Sequence, residues 1–153
     1  MADWILRAAS VADTEAIAEL RAVVMRPDLA RLGRYDPVRV RQRFRDSFVP
    51  AWAWVIEVAG EFAGSIALRP AEDGHWLEHF FLDPRHHGRG IGSAVLGEVL
   101  DGHEGPVRLQ VLQGSPARRL YERHGFVPES EDAVDVWMLR AGPTPLFAGP
   151  AAP

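Results

Sequence analysis

The stretch from Asp83 to Ser93 constrains this chain more than any other, because it threads glycines 88, 90 and 92 between a strand and a helix. Upstream, Trp76-Leu77-Glu78-His79-Phe80-Phe81-Leu82 is rich in aromatics and bounded by Gly74 and Pro84, which predicts a buried strand. Downstream, Ile91, Val95 and Val99 recur at helical spacing. The first amides of such a helix have no internal partner and sit at the positive end of its dipole, where each favourable contact to an anion is worth roughly 0.3–1 kcal/mol. A strand, a glycine-rich bend and a helix in that order therefore predict a cradle for a diphosphate. The dinucleotide fingerprint Gly-x-Gly-x-x-Gly fails, since the residue three after Gly90 is Ser93 and three after Gly92 is Val95. No Gly-Lys-Ser/Thr follows, which excludes the nucleoside-triphosphate loop as well.

What remains, Arg85-His86-His87-Gly88-Arg89-Gly90, resembles the Arg/Gln-x-x-Gly-x-Gly/Ala signature of the GNAT superfamily of N-acetyltransferases. A second match follows. Arg108 to Leu112 alternates like a strand, and after Gln113-Gly114 the run Ser115-Pro116-Ala117-Arg118-Arg119-Leu120-Tyr121-Glu122-Arg123-His124-Gly125-Phe126 is similar to the superfamily's second signature. Ser115 suits a cap, Pro116 a first helical turn and Gly125 a left-handed stop. The resemblance covers about residues 4–140, most tightly Leu77 to Gly92 and Leu109 to Phe126. It implies an α/β fold: a GNAT-type mixed, mostly antiparallel sheet of about seven strands, with helices on both faces and a splayed parallel central pair. The slot between that pair is expected between Phe80 to Leu82 and Leu109 to Leu112.

The rest of the chain fits one compact unit. Its 153 residues, 47% of them hydrophobic, predict a single domain over residues 1–141, followed by a proline-rich tail at 142–153. Trp4 to Arg7 reads as a strand. Ser10 opens a helix with Ala16, Ile17, Leu20, Val23 and Val24 on its apolar face, ended by Pro27. A second helix is expected from Asp36-Pro37 to about Asp46, packing through Val38, Val40 and Phe44. Trp52 to Val58 and Phe62 to Arg69 form a hairpin across Ala59-Gly60-Glu61, the acidic run Pro128 to Asp132 is expected as a loop, and Val134 to Leu139 as a final strand.

Composition narrows the chemistry. There is no cysteine, so disulfides and thiolate catalysis are excluded. No apolar run reaches the roughly 18 residues of a membrane span, and Met1-Ala2-Asp3-Trp4 lacks the features of a signal peptide, so no membrane partner and a cytoplasmic location are expected. A net charge of −4 argues against nucleic acid as a partner. All 17 basic residues are arginine. Seven of them, Arg26, Arg31, Arg34, Arg39, Arg41, Arg43 and Arg45, crowd one stretch that reads either as a solvated helix face or as a pocket for an acidic acceptor.

The resemblance implies acetyl transfer from acetyl-CoA to an amine of a small molecule or peptide, with CoA as product. A homodimer is a further expectation. Amides from His87 through Gly88, Arg89, Gly90, Ile91 and Gly92 to Ser93 would hold the pyrophosphate, with Arg85 and Arg89 adding charge. The main chain of Phe80, Phe81 and Leu82 would take the pantetheine arm, and Ser115, Ala117 and Arg118 would line it from the second signature. Tyr121 falls where the family's tyrosine reaches the cofactor sulfur. A free alkyl amine has a pKa near ~10.4, so a base or a dry pocket is also needed. Glu78 is the first candidate, as a carboxylate inside an apolar strand. His79 is its rival, a water relay remains open, and Gln110 cannot serve. Simple alternation puts Glu78 with Phe80 and His79 with Phe81, but a bulge would shift that phase. His75 and His79 alone make a poor metal site, so none is expected. The readings set against an acetyltransferase are a non-catalytic CoA-binding module and a transferase for longer acyl chains.

Overall fold

A computed structural model of the protein describes residues 3–142. The elements are β1 (Trp4–Ala8), α1 (Thr14–Arg31), α2 (Pro37–Ser47), β2 (Ala53–Val58), β3 (Glu61–Ala71), β4 (Gly74–Leu82), α3 (Ile91–Asp101), β5 (Val107–Leu112), α4 (Ala117–Arg123), β6 (Val127–Glu131) and β7 (Asp135–Arg140). They build one seven-stranded sheet in the order β1-β2-β3-β4-β5-β7-β6. All neighbours run antiparallel except β4 and β5, which are parallel. The expected tail falls almost wholly outside the described residues, with Gly142 as the last of them. No helix among the described residues is long and apolar enough to cross a membrane.

Strand alternation divides the core in two. Successive residues of β2 feed different apolar clusters, Ile56 joining Ile91, Val95, Leu96, Leu100 and Phe126 while Val55 joins Ile17, Ala18, Leu20 and Phe44. Because neighbouring side chains of a strand point to opposite faces, α3 and α4 cover one face of the sheet and α1 and α2 the other. The β2–β3 hairpin turns through Ala59 at φ 52° and Gly60 at φ 81°, the pair of left-handed residues that matches strand twist in a two-residue loop.

Three expectations change. Pro27 does not end α1, which continues to Arg31. The proline removes a hydrogen bond to the Val23 carbonyl, but Val23 is 56% exposed, so water can satisfy that group. Val38 does not pack, being 74% exposed, and Val40 and Phe44 alone carry the buried face of α2. The acidic run is not a loop: Val127–Glu131 is the edge strand β6, exposed along its length and paired to β7. Arg108 reaches Glu129 at 3.0 Å, and the carboxylates on β6 discourage pairing with another chain.

Close approach at Gly64 holds β3 against β4. A Cβ there would lie 2.1 Å from the Phe81 carbonyl oxygen, which only backbone displacement can relieve. Gly64→Ala is expected to destabilise the protein by ~3 kcal/mol, read as a lowered urea midpoint. A change below ~1 kcal/mol would contradict this packing.

Candidate active site

The sheet opens at its parallel pair. β4 and β5 register only at His75↔Val107 and Trp76↔Arg108. Beyond that point β4 stays with β3 as far as Gly64↔Leu82, and β5 stays with β7 as far as Leu112↔Asp135. The facing edges, residues 77–82 and 109–112, therefore part and leave backbone donors and acceptors without strand partners. Buried groups of this kind need a ligand or water.

The glycine loop sits at the mouth of this split. Asp83 caps the bend, its carboxylate accepting from the Arg85 amide at 2.9 Å. The His86 and His87 amides donate to Asp83 O at 2.9 Å and Pro84 O at 3.1 Å, and Ala94 donates to Gly90 O at 3.0 Å. Between them, the amides of Gly88 to Ser93 have no backbone partner among the described residues. Gly88 and Gly90 hold φ values of 75° and 79°, which only glycine adopts without strain. His87 supports the loop rather than opening into it, because its amide is engaged and its Nε2 donates to Leu82 O at 2.8 Å. Arg85 folds back on Asp83 at 3.2 Å, and Arg89 reaches the His86 ring at 3.3 Å. The Ser93 hydroxyl turns to His124 at 2.9 Å, and Ile91 is 1% exposed, anchoring α3. An unpartnered amide arc at a helix N-terminus fits a diphosphate.

Opposite the loop, Ser115 Oγ accepts from the Ala117 amide at 3.2 Å and starts α4, while Gly125 at φ 92° follows its end. Ala117 packs on the core, and Arg118 pairs with Glu122 at 3.4 Å. Tyr121 is buried. Its ring lies 6.4 Å from Phe80 on β4 and 5.9 Å from Phe126. Burial pushes the phenol pKa up, so the hydroxyl keeps its proton.

A bulge is present and decides which groups meet. His79 takes φ 51°, and the β3–β4 register slips between Ser65↔Phe81 and Ala67↔Glu78. Phe80 consequently joins Tyr121's face, while Glu78 and His79 share the other, contrary to simple alternation. His79 Nε2 lies 3.3 Å from Glu78 Oε2 and 3.4 Å from Ser47 Oγ. Ser47 already donates to Arg43 O at 2.9 Å, so both neighbours present acceptors to Nε2. The neutral ring is thus protonated at Nε2 and keeps its lone pair at Nδ1. Only 13% of the His79 side chain is exposed, edge-on to Phe44 with ring centroids 4.8 Å apart. Burial lowers its pKa below the usual histidine value, outweighing Glu78, which raises it, and Arg21 and Arg69 lower it further. Glu78 is held by Arg69 at 2.5 Å.

Sequence reasoning missed Ser47 and Arg69, which reach this cluster from α2 and β3, and Arg21 of α1, which acts on it through its charge; none carries a local motif. His75 meets the His103 ring edge-on, with centroids 4.0 Å apart, instead of joining His79, and among the described residues no three histidine, aspartate or glutamate side chains gather as a metal site.

A sheet split at its one parallel pair, with a glycine cradle at the mouth, defines an acetyltransferase-type fold. The chain belongs to the GNAT acetyltransferase family: the family model described as "Acetyltransferase (GNAT) domain" matches residues 50–128. Its fold is shared by the PaiA N-acetyltransferase of Thermoplasma acidophilum, a structure in complex with coenzyme A, at 20% identity and a TM-score of 0.72, covering 91% of this chain and 99% of that one. The ribosomal-protein-S18-alanine N-acetyltransferase of Escherichia coli matches at 16% identity and a TM-score of 0.72 over 93% of this chain and 96% of its own. An acetyltransferase of Streptococcus agalactiae matches at 17% identity and a TM-score of 0.70 over 92% and 96%. No curated protein sequence matches the chain significantly.

Proposed function

We propose that the protein is an N-acetyltransferase that moves an acetyl group from acetyl-CoA to a primary amine of a small molecule or peptide, with both bound at once. The observation that carries this reading is the arc of unpartnered amides from Gly88 to Ser93, opening onto a split sheet beside a protonated, buried phenol. The bound cofactor supplies an acetyl group activated as a thioester. The amides of Gly88 to Ser93 bind its diphosphate, and the open edge at Phe80 to Leu82 pairs with its pantetheine amides. His79 Nδ1 takes the proton from the amine. Glu78 orients the ring and stabilises the imidazolium, and Arg69 fixes Glu78. As the C–N bond forms and the C–S bond breaks, Tyr121 passes its proton to the departing sulfur.

The test is release of free thiol from acetyl-CoA in the presence of a panel of primary amines. Turnover well above hydrolysis is expected, and tight CoA binding without turnover would point instead to a non-catalytic module. His79→Gln is expected to lower kcat/KM at least ~10-fold. The low pKa of His79 keeps the base unprotonated at neutral pH, so the acid limb of kcat/KM lies below the usual histidine range. Removing the Glu78 charge with Glu78→Gln moves that limb further down, because this carboxylate raises the histidine pKa. A limb unmoved by either change would rule out His79 as the base.

A further inference from the structure

The arginine-rich stretch resolves into surface pairs and exposed side chains, and just before it Arg21 is partly buried with no carboxylate beside it. Arg41 clasps Glu19 at 2.6 Å, Arg45 clasps Glu15 at 2.8 Å, and Arg31 meets Asp28 at 2.6 Å. Arg26 lies over the Tyr35 ring at 5.1 Å, while Arg34, Arg39 and Arg43 are exposed to water. Arg21 differs from all of these. It points from α1 towards α2, is partly buried, and its Nη1 donates to the Val40 carbonyl. No carboxylate pairs with it among the described residues, and residues 1–2 and 143–153 contain no aspartate or glutamate.

An arginine drawn out of water normally has an acidic partner, because desolvating the charge is expensive. The surroundings of Arg21 make matters worse, since Arg43 adds like charge. Its position is specific. Val40 stands one helical turn before Phe44, whose ring lies edge-on to His79 at 4.8 Å, and the Arg21 charge lowers the His79 pKa. One N–H of Arg21 is used at Val40, which leaves a planar group with further donors suited to two parallel bonds to a carboxylate.

We infer that Arg21 is a specificity residue that binds a carboxylate of the acceptor, so that the substrate is an amine carrying a carboxylate on the same molecule. The inference rests on the acetyl-transfer reading above, with His79 receiving the amine proton beside the Arg21 subsite. It also divides the arginines by role: Arg41 and Arg45 tie α2 to α1, and Arg21 meets the substrate.

The experiment uses the full chain, acetyl-CoA, and matched acceptors: amino acids, the corresponding amino acid amides, and aminoalkyl phosphates of similar length. The carboxylate form is expected to exceed its amide at least tenfold in kcat/KM, chiefly through KM, and to exceed the phosphate. In Arg21→Gln the carboxylate-to-amide ratio falls to about one, and in Arg21→Lys, which keeps the charge but not the planar fork, it falls in between. The ratio is read within each variant, so a general loss of stability does not imitate the result. Equal turnover of carboxylate and amide, a ratio unchanged in Arg21→Gln, or preference for the phosphate would overturn the inference alone. No thiol release with any acceptor would overturn it together with the acetyl-transfer reading.

Discussion

Tyr121→Phe is expected to reduce kcat by roughly 10²-fold while leaving the affinity for CoA within about twofold. The substitution removes one oxygen and keeps the ring, so the contacts to Phe80 at 6.4 Å and Phe126 at 5.9 Å persist and α4 remains seated. The size of the effect follows from the environment of the phenol. Burial holds it in the protonated form, so a proton is available as sulfur departs. A general acid placed in this way contributes about 10²–10⁴-fold, and a residual rate from solvent protonation of a thiolate argues for the lower end. Steady-state kinetics with acetyl-CoA and an accepted amine measure the change. A kcat within twofold of the parent would mean that the hydroxyl gives no proton and that Tyr121 is a packing residue.

The second large effect lies in the loop. Gly88→Val combined with Gly90→Val is expected to weaken CoA binding by about 30-fold or more. Left-handed backbone costs an ordinary residue ~1–2 kcal/mol, and two such positions with β-branched side chains sum to ~2–4 kcal/mol. Steric conflict does not confuse the reading, because a Cβ at either position meets nothing within 4 Å. The loop either abandons φ values of 75° and 79° and turns its amides away, or keeps them and destabilises the chain. Titration calorimetry with CoA reports the first outcome and a thermal melt the second. Unchanged affinity together with an unchanged melting temperature would show that these glycines are not required for the cradle.

How much of this was legible from residues alone depends on whether the information is local. The glycine loop and the start of α3 were, because glycine spacing and the helix start lie within a dozen residues of one another. The second signature placed Ser115, Gly125 and Tyr121 on the correct turns for the same reason. Pro27 misled, since whether a helix survives a proline depends on what the freed carbonyl faces, and that is a property of the packed molecule. The run at 127–131 is too acidic to read as a strand, yet β7 supplies backbone pairing that asks nothing of its side chains. The bulge was anticipated as a possibility but not located. Its position at His79 is what brings that ring to Glu78, which Arg69 also holds. Arg21 carried no signal at all, because an unpaired charge is recognised only when every neighbour is known.

The position of bound coenzyme A is the most direct test. A crystal structure of the protein with CoA is expected to show diphosphate oxygens accepting hydrogen bonds of ~2.7–3.2 Å from amides among Gly88 to Ser93, the pantetheine arm in the split between β4 and β5, and the sulfur beside the Tyr121 hydroxyl. A diphosphate held away from that loop, or a sulfur beyond reach of the phenol, would contradict it.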